Sequence, residues 1–343
     1  MKRPIAVLVN DVHLDKNNGH LVKDIFDQCI SLCKELGCIY ILIGGDVFTN
    51  RSGQPLVCLT DWKDIVLSLN ERGFGVIAIP GNHDKTDGDD YRSYLDPYSE
   101  WMAVQSRGIC IRMCDMNFVF VPYFKEEKWL EEWKRADAER DRTKKSILIT
   151  HIGMDGVRNN DGTMVESAIR PAMFADYDKV LIGHYHNASQ MASNVFYTGS
   201  AYQRDFGENI DDKGFTVIYD DASIEFVPTR FPKYVRHVIP ATDTKMLQDL
   251  LERYKDERYD HIRFVIKGKK ADCGKINISE IQDKYGIECR YECDDEAITS
   301  DSISDSVTIY DRKTIIEDFV CFCKERKIQG EELKYGMELI KEM

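Results

Sequence analysis

The sequence has no apolar run that approaches the roughly 18 residues needed by a membrane-spanning helix. It starts Met1-Lys2-Arg3-Pro4 and enters a short apolar strand without the apolar segment of a secretory signal. Positive charge is scarce too, with 46 lysines and arginines against 59 acidic residues and a net charge of −13. We therefore expect a cytoplasmic protein without membrane contact. A broad basic face that would hold nucleic acid unaided is not expected.

Paired cysteines at zinc-site spacing are also missing, although the chain has eleven cysteines. The close pairs Cys29/Cys33, Cys289/Cys293 and Cys321/Cys323 have the spacing of neighbours on a helix or strand. We expect free thiols that pack as small apolar side chains in a reducing compartment.

The order of predicted elements indicates two domains and two small additions. Residues 1–230 alternate strand and helix and end in antiparallel strands, which predicts an α/β sandwich. A proline-bounded linker precedes 231–293, a small α/β unit. Residues 294–310 form an acidic, serine-rich tether, and 311–343 form two amphipathic helices.

Five apolar runs, each typical of a buried strand, are followed at once by side chains that can bind metals. In open α/β sheets, ligands gather beyond the carboxyl ends of the strands. Five of the eight histidines lie at these ends, whereas His20, His237 and His261 are expected to be surface or packing residues. The residues at the five strand ends are Asp11 and His13, then Asp46, then Asn82, His83 and Asp84, then His151, and last His184 and His186.

A mixed set of imidazole, carboxylate and amide ligands favours a pair of first-row metal ions about 3.5–4 Å apart. Asp46, on a middle strand, is placed to bridge the two ions. Asp11 and His13 would hold one ion and Asn82 and His151 the other, each completed by one histidine of the His184-x-His186 pair. Such a pair of cations activates a solvent molecule and neutralises charge on a phosphoryl group.

Two residues of the central Gly-Asn-His-Asp stretch are assigned to catalysis rather than to metal binding. His83 can face the substrate, where it would stabilise charge or protonate the leaving oxygen. Asp84 would accept a hydrogen bond from an imidazole and fix its tautomer.

These motifs together resemble the calcineurin-like metallophosphoesterase superfamily, and they do so at Asp11-Val-His13, Gly45-Asp46, Gly81-Asn-His-Asp84, His151 and Gly183-His-Tyr-His186. The segment from Tyr197 to Glu208, followed by Lys213-Gly-Phe, is similar to SbcD-type nuclease subunits of bacterial SbcCD break-repair complexes and their phage counterparts. One position departs from many members, which carry a histidine three residues after the bridging aspartate where this chain has Thr49.

The resemblance implies a four-layer α/β sandwich with a small capping domain and a C-terminal helix pair. It also implies two Mn²⁺ ions, with Mg²⁺ or Fe²⁺ as alternatives. The implied activities are 3′→5′ exonuclease on duplex DNA ends and endonuclease on single strands, in recombination and break repair. The implied partners are DNA, an SMC-like ATPase of the SbcC type and a second copy of the chain.

Two other functions fit the same motifs. A phosphatase or cyclic-nucleotide phosphodiesterase would use the same metals, but it has little use for a cap and a tethered helix pair. A non-catalytic scaffold on this fold would be expected to have lost site residues, and none of them is missing.

The homodimer contact is predicted on two helices, Pro55–Arg72 and Tyr91–Gln105. Tyr94, Tyr98 and Trp101 give the second helix an excess of aromatic residues, which interfaces favour.

The terminal helix pair is predicted to dock the ATPase, because about thirty residues cannot bury enough apolar surface to fold alone. The apolar residues on one face of each helix are Ile315, Ile316, Phe319 and Val320 on the first, and Leu333, Met337 and Ile340 on the second.

Deleting residues 307–343 should therefore abolish co-purification with the ATPase and leave manganese-dependent cleavage of single-stranded DNA intact. Both effects are measured on the same preparation. A truncated protein that aggregates or loses its own cleavage activity would show that the helices belong to the catalytic body.

Overall fold

A computed structural model describes residues 2–158, 163–208 and 211–294. The C-terminal helix pair, and the tether apart from the backbone of Asp294, lie outside these ranges, and with them the seven predicted docking residues. In chain order the first elements are β1 (Pro4–Val9), α1 (Gly19–Leu36), β2 (Tyr40–Ile43), α2 (Leu56–Glu71), β3 (Gly75–Ala78), β4 (Ala103–Val104), β5 (Ile109–Met113), β6 (Met116–Val121), α3 (Glu126–Ala138), β7 (Ser146–His151) and β8 (Lys179–Gly183).

The remaining elements include short strands and helices of the second half. They are β9 (Ser189–Ala192), β10 (Val195–Tyr197), β11 (Gly214–Tyr219), β12 (Ile224–Pro228), β13 (Tyr234–Pro240), α4 (Thr244–Tyr254), β14 (His261–Lys269), α5 (Lys270–Cys273), α6 (Ile278–Tyr285) and β15 (Glu288–Asp294).

Two six-stranded sheets carry the site. The first has the order β12-β11-β1-β2-β3-β4 and the second β5-β6-β7-β8-β10-β9. Strands β1, β2 and β3 run parallel in register, as do β7 and β8. Their carboxyl ends therefore meet at one edge, as the strand-end pattern requires.

Each central strand is apolar on both faces because both faces are covered. Leu8 and Leu42 of the first sheet pack in one buried cluster with Phe118 and Ile149 of the second, which joins the sheets face to face. Alternate residues such as Val7 point the other way and pack with α1 and α2.

The outer face of the second sheet is closed by α3, whose Trp129 is fully buried. The layers are thus helices, sheet, sheet and helix, which confirms the predicted four-layer α/β sandwich.

The helix predicted over Tyr91–Gln105 is wrong. The segment forms turns, a 3₁₀ turn over Asp96–Tyr98 and the two-residue strand β4. Pro97 cannot donate within a helix, and the Ser93 backbone N–H donates to the Asp96 carboxylate, which favours a turn. Tyr98 is buried in the core, so at least part of the aromatic excess is packing rather than surface.

The chain divides into two units. The first takes residues up to 239 together with 243–265 and 277–290, and its parts of β13, β14 and β15 belong to a three-stranded sheet with that strand order. The second takes 240–242, 266–276 and, of the described residues beyond 290, 291–294, and in it the Cys273 thiol donates to the Gly268 carbonyl at 3.5 Å. The strands and helices predicted for residues 231–293 are present. The boundaries at 230 and 293 stay predictions.

Two further observations concern the described part of the chain. Its cysteines are all free thiols. None of its helices is long and apolar enough to cross a membrane.

Candidate metal centre

The residues predicted from the strand ends converge at one edge of the two sheets. Asp11 and His13 follow β1, Asp46 follows β2, and Asn82 lies in the loop after β3. His151 ends β7, while His184 and His186 follow β8 directly. All of these side chains are buried except that of His184, which is partly exposed.

One group of ligands contains Asp11, His13 and His186, whose donor atoms lie within 4.8 Å of one another. The Nε2 atoms of His13 and His186 are 2.9 Å apart. His13 Nε2 also lies 4.0 Å from Asp11 Oδ1 and 3.5 Å from Asp46 Oδ2. Of the two candidates left open by the sequence, His186 therefore joins Asp11 and His13.

A second group contains Asp46, His151 and His184, again within 4.8 Å of one another. His151 Nε2 lies 3.3 Å from Asp46 Oδ2 and 3.1 Å from Asn82 Oδ1. Asn82 Oδ1 is in turn 2.8 Å from His184 Nδ1. Both groups meet at Asp46, as expected for a bridging carboxylate, although a single oxygen, Oδ2, faces both histidines.

The hydrogen bonds on the far sides of two imidazoles show that this arrangement fits cations. His151 Nδ1 donates to the Gly44 carbonyl at 2.9 Å, and His186 Nδ1 donates to Glu208 Oε1 at 2.6 Å. When such a ring is deprotonated, its Nε2 carries a lone pair that faces another acceptor, such as Asn82 Oδ1 for His151. Electron-pair donors that face one another without a proton between them repel each other, and a positive ion between them removes that repulsion.

Charge in the site is balanced between carboxylates and imidazoles. Burial acts to raise the pKa of Asp46, but His151, His13 and His83 outweigh it and hold the pKa well below its usual range. Burial likewise opposes a charge on His151, yet Asp46 and Asp11 raise its pKa to about 9.

The pKa values of Asp11 and His184 shift in the opposite directions from those of Asp46 and His151. Burial raises the pKa of Asp11 to about 6, against the pull of His151 and His186. Burial and the charge of His151 lower the pKa of His184 to about 3. Among the described ligands, the Asp46–His151 pair is thus shifted toward its charged form, and Asp11 and His184 are shifted toward their neutral forms.

The backbone at these ligands is strained. Asp11, His13, Asp46 and His184 have φ values of 54°, 44°, 53° and 91°, in a region that residues with a Cβ rarely adopt. Such strain persists where the surroundings enforce it, and it clusters at functional sites.

Two glycines let the loops approach one another. A Cβ on Gly45, which has φ of 104°, would lie 2.4 Å from His151 Nδ1. A Cβ on Gly81 would lie 2.4 Å from the Asp46 backbone nitrogen. The glycines in Gly45-Asp46 and Gly81-Asn82 thus keep space for the ligand side chains.

His83 lies beside the two groups. Its backbone N–H donates to Asp46 Oδ1 at 2.8 Å, and its ring packs edge-on to His13 at 4.9 Å between centroids. Its Nδ1 is hydrogen-bonded to the Thr49 carbonyl, which leaves Nε2 facing the guanidinium of Arg51 at 3.3 Å. His83, His13 and Asp46 also form a third group close enough to hold a metal.

Asp84 does not have the predicted role of orienting an imidazole. Its buried carboxylate accepts from the backbone N–H groups of Phe48 at 3.0 Å and Gly81 at 2.9 Å. Because Phe48 follows Asp46 and Gly81 precedes Asn82, Asp84 ties together two loops that carry ligands. Burial and the charge of Asp46 raise its pKa to about 7.

Glu208 is the residue that orients an imidazole, and sequence reasoning missed it. Its bond to His186 Nδ1 is accompanied by an ion pair with buried Lys213 at 3.4 Å. Burial acts to raise the pKa of Glu208, but His186 and Lys213 outweigh it and lower that pKa. Glu208 and Lys213 both stand in the stretch that carried the resemblance to nuclease subunits, and that was the available signal.

The histidines set aside from the site have other surroundings. His237 Nε2 lies 3.0 Å from the Tyr254 hydroxyl, and His261 stacks on Tyr234 at 4.3 Å between centroids. His20 is exposed on α1.

A family model, described as "Calcineurin-like phosphoesterase", matches residues 6–188, a span that includes all seven candidate ligands. The chain is 26% identical over 295 residues to SbcD, the nuclease subunit of SbcCD, from Staphylococcus saprophyticus, covering 74% of this chain and 76% of that protein. It is 25% identical over 217 residues to "Exonuclease subunit 1" of Enterobacteria phage T4, covering 60% of each. It is also 20% identical over 235 residues to a candidate phosphoesterase, 078R, of Invertebrate iridescent virus 3, covering 66% of this chain and 67% of that protein.

Replacing Asp46 by alanine should abolish high-affinity metal binding, because one carboxylate serves both groups of ligands. Calorimetric titration with Mn²⁺ measures the effect, and Asp24→Ala, an exposed residue of α1, is the matched control. Two ions still bound to the Asp46→Ala protein would refute the bridging role.

Glu208→Gln should weaken one manganese site by roughly 10–100-fold and leave the other unchanged, because His186 is the one candidate ligand whose charged partner is Glu208 among the described contacts. The exposed neighbour Asp205→Asn serves as control. Two sites with wild-type affinity in Glu208→Gln would show that the bond to His186 does not tune the metal.

Proposed function

Because this chain belongs to the calcineurin-like phosphoesterase family, we propose that it is a two-metal DNA nuclease of the SbcD type. Its activities would be 3′→5′ exonuclease on duplex ends and endonuclease on single strands, in DNA repair and recombination. The proposal is supported by two relatives whose names describe nuclease subunits, matched over 74% and 60% of this chain.

The observation that carries the phosphoesterase chemistry is the pair of ligand groups that share Asp46, with His83 beside them. The oxygen and nitrogen donors suit manganese, with magnesium or iron as alternatives. When bound, two such ions would supply Lewis acidity toward a phosphoryl group and toward solvent.

The protein's own residues hold and orient the reactants. Asp11, His13 and His186 would hold one ion, and Asn82, His151 and His184 the other, with Asp46 between them. His83 is fixed at its backbone by Asp46 and at Nδ1 by Thr49, so its Nε2 can move a proton to or from a substrate oxygen. Burial lowers the pKa of His83, so it is neutral near pH 7 before substrate binds.

Partners are proposed on the same basis. The relatives named as subunits support assembly with a second protein, which we propose to be an SMC-like ATPase, and with a second copy of the chain. The segment proposed to dock the ATPase is 311–343, outside the described residues.

A phosphatase or cyclic-nucleotide phosphodiesterase is the second candidate, because one relative is described only as a candidate phosphoesterase. A scaffold without activity is disfavoured, since every predicted ligand is present at the site.

One assay separates these candidates. The full chain is incubated with Mn²⁺ and either labelled DNA or p-nitrophenyl phosphate, with and without the ATPase partner. We expect cleavage of single-stranded DNA by the chain alone, cleavage of duplex ends with the partner, and slow turnover of the small ester. Rapid hydrolysis of the small ester without any DNA cleavage would favour the phosphatase.

His83→Ala should retain both manganese ions and lose roughly 10²–10⁴-fold in turnover, the usual contribution of a general acid or base. Calorimetry and kinetics on the same sample distinguish the two properties. Loss of an ion in this variant would make His83 a ligand, in the third group that the geometry allows.

A further inference from the structure

The loop after β2 lies beside the candidate metal centre. The hydroxyl of Thr49, three residues after Asp46, donates to the His13 carbonyl at 2.7 Å. Its backbone N–H donates to the Leu14 carbonyl at 3.1 Å. The Thr49 side chain is thus turned toward the neighbouring loop, and it cannot offer a cationic or ring donor to a substrate.

Two residues later, Arg51 brings a cation to His83. Its Nη2 atom lies 3.3 Å from His83 Nε2, the ring nitrogen not used by Thr49. The backbone of Arg51 is held in place because the Tyr94 hydroxyl donates to its carbonyl at 3.0 Å. The guanidinium is therefore presented from an anchored loop.

Among the residues that the structure describes, this guanidinium has no anionic partner. No carboxylate in that part of the chain lies within 4.0 Å of Arg51, whose side chain is exposed. Other described arginines do form ion pairs, as Arg140 does with Asp137 and Asp176. A planar donor that lacks such a carboxylate and lies beside a phosphoryl-transfer site fits a phosphate oxygen.

The contact with His83 fixes the side of the centre on which this charge lies. The His83 ring packs edge-on to His13 at 4.9 Å between centroids, and its backbone N–H donates to Asp46. Arg51 therefore borders the candidate metal centre at His83.

We infer that Arg51 binds a phosphate oxygen of a single-stranded nucleic acid substrate next to His83. The inference rests on the proposed nuclease function.

The test compares Arg51→Ala and Arg51→Lys with Arg72→Ala in the full chain with Mn²⁺. Arg72 is exposed at the end of α2, just before β3 begins, and so lies away from the carboxyl-end edge. The variant Arg72→Ala removes the same charge as Arg51→Ala and serves as the matched control.

For a single-stranded oligonucleotide, Arg51→Ala should raise KM about tenfold, and Arg51→Lys should recover part of the loss. The slope of log KM against log salt concentration should fall by about 0.7, the value for one lost phosphate contact on a single strand. Arg72→Ala should leave KM and slope at their wild-type values.

A wild-type KM and salt slope in Arg51→Ala would overturn the inference, even if kcat falls, because Arg51 would then only hold the His83 ring. Bis(p-nitrophenyl) phosphate is assayed in parallel. If the wild-type protein hydrolyses this diester but not DNA, the nuclease proposal fails. A raised KM for the diester in Arg51→Ala would then still support phosphate binding by Arg51, and an unchanged KM would refute it.

Discussion

The carboxylate of Asp46 is almost fully buried at the edge where the strands of both sheets have their carboxyl ends. The imidazoles of His13 and His151 both lie close to it. A buried carboxylate is stable only when paired, and here His151 and His13 keep it ionised. Much of the surrounding structure serves this arrangement. Gly45 and Gly81 give it space, and Asp84 ties together the loops on its two sides.

This concentration of strained backbone and converging acceptors is unfavourable for the protein by itself. Left-handed conformations at residues with a Cβ typically cost about 1–3 kcal/mol each, and four of the ligands adopt them. The four-layer sandwich, with core on every sheet face, provides the rigidity that holds them. A cation bound between the ligands would offset the cost, and it would lower the repulsion between a chain of net charge −13 and an anionic substrate.

The sequence predicted which side chains come together at the candidate site, because parallel strands end at one edge of a sheet and polar side chains follow each apolar run. It could not assign His184 and His186 to their groups, since both follow the same strand and only the tertiary fold separates them. Sequence reasoning did not identify Glu208, because its partner His186 lies 22 residues earlier. The contact forms only when the loop that carries Glu208 folds back onto His186. The prediction of a helix over Tyr91–Gln105 is wrong because aromatic residues at helical spacing also occur in consecutive turns. Here Pro97 and the carboxylate of Asp96 stabilise those turns.

The central claim is that two metal ions share Asp46, and anomalous X-ray diffraction from crystals containing Mn²⁺ tests it most directly. The account predicts two anomalous peaks about 3.5–4 Å apart. Asp46 should contact both ions, with His186 at one and His184 at the other. A single peak, or two peaks of which one is not in contact with Asp46, would contradict it.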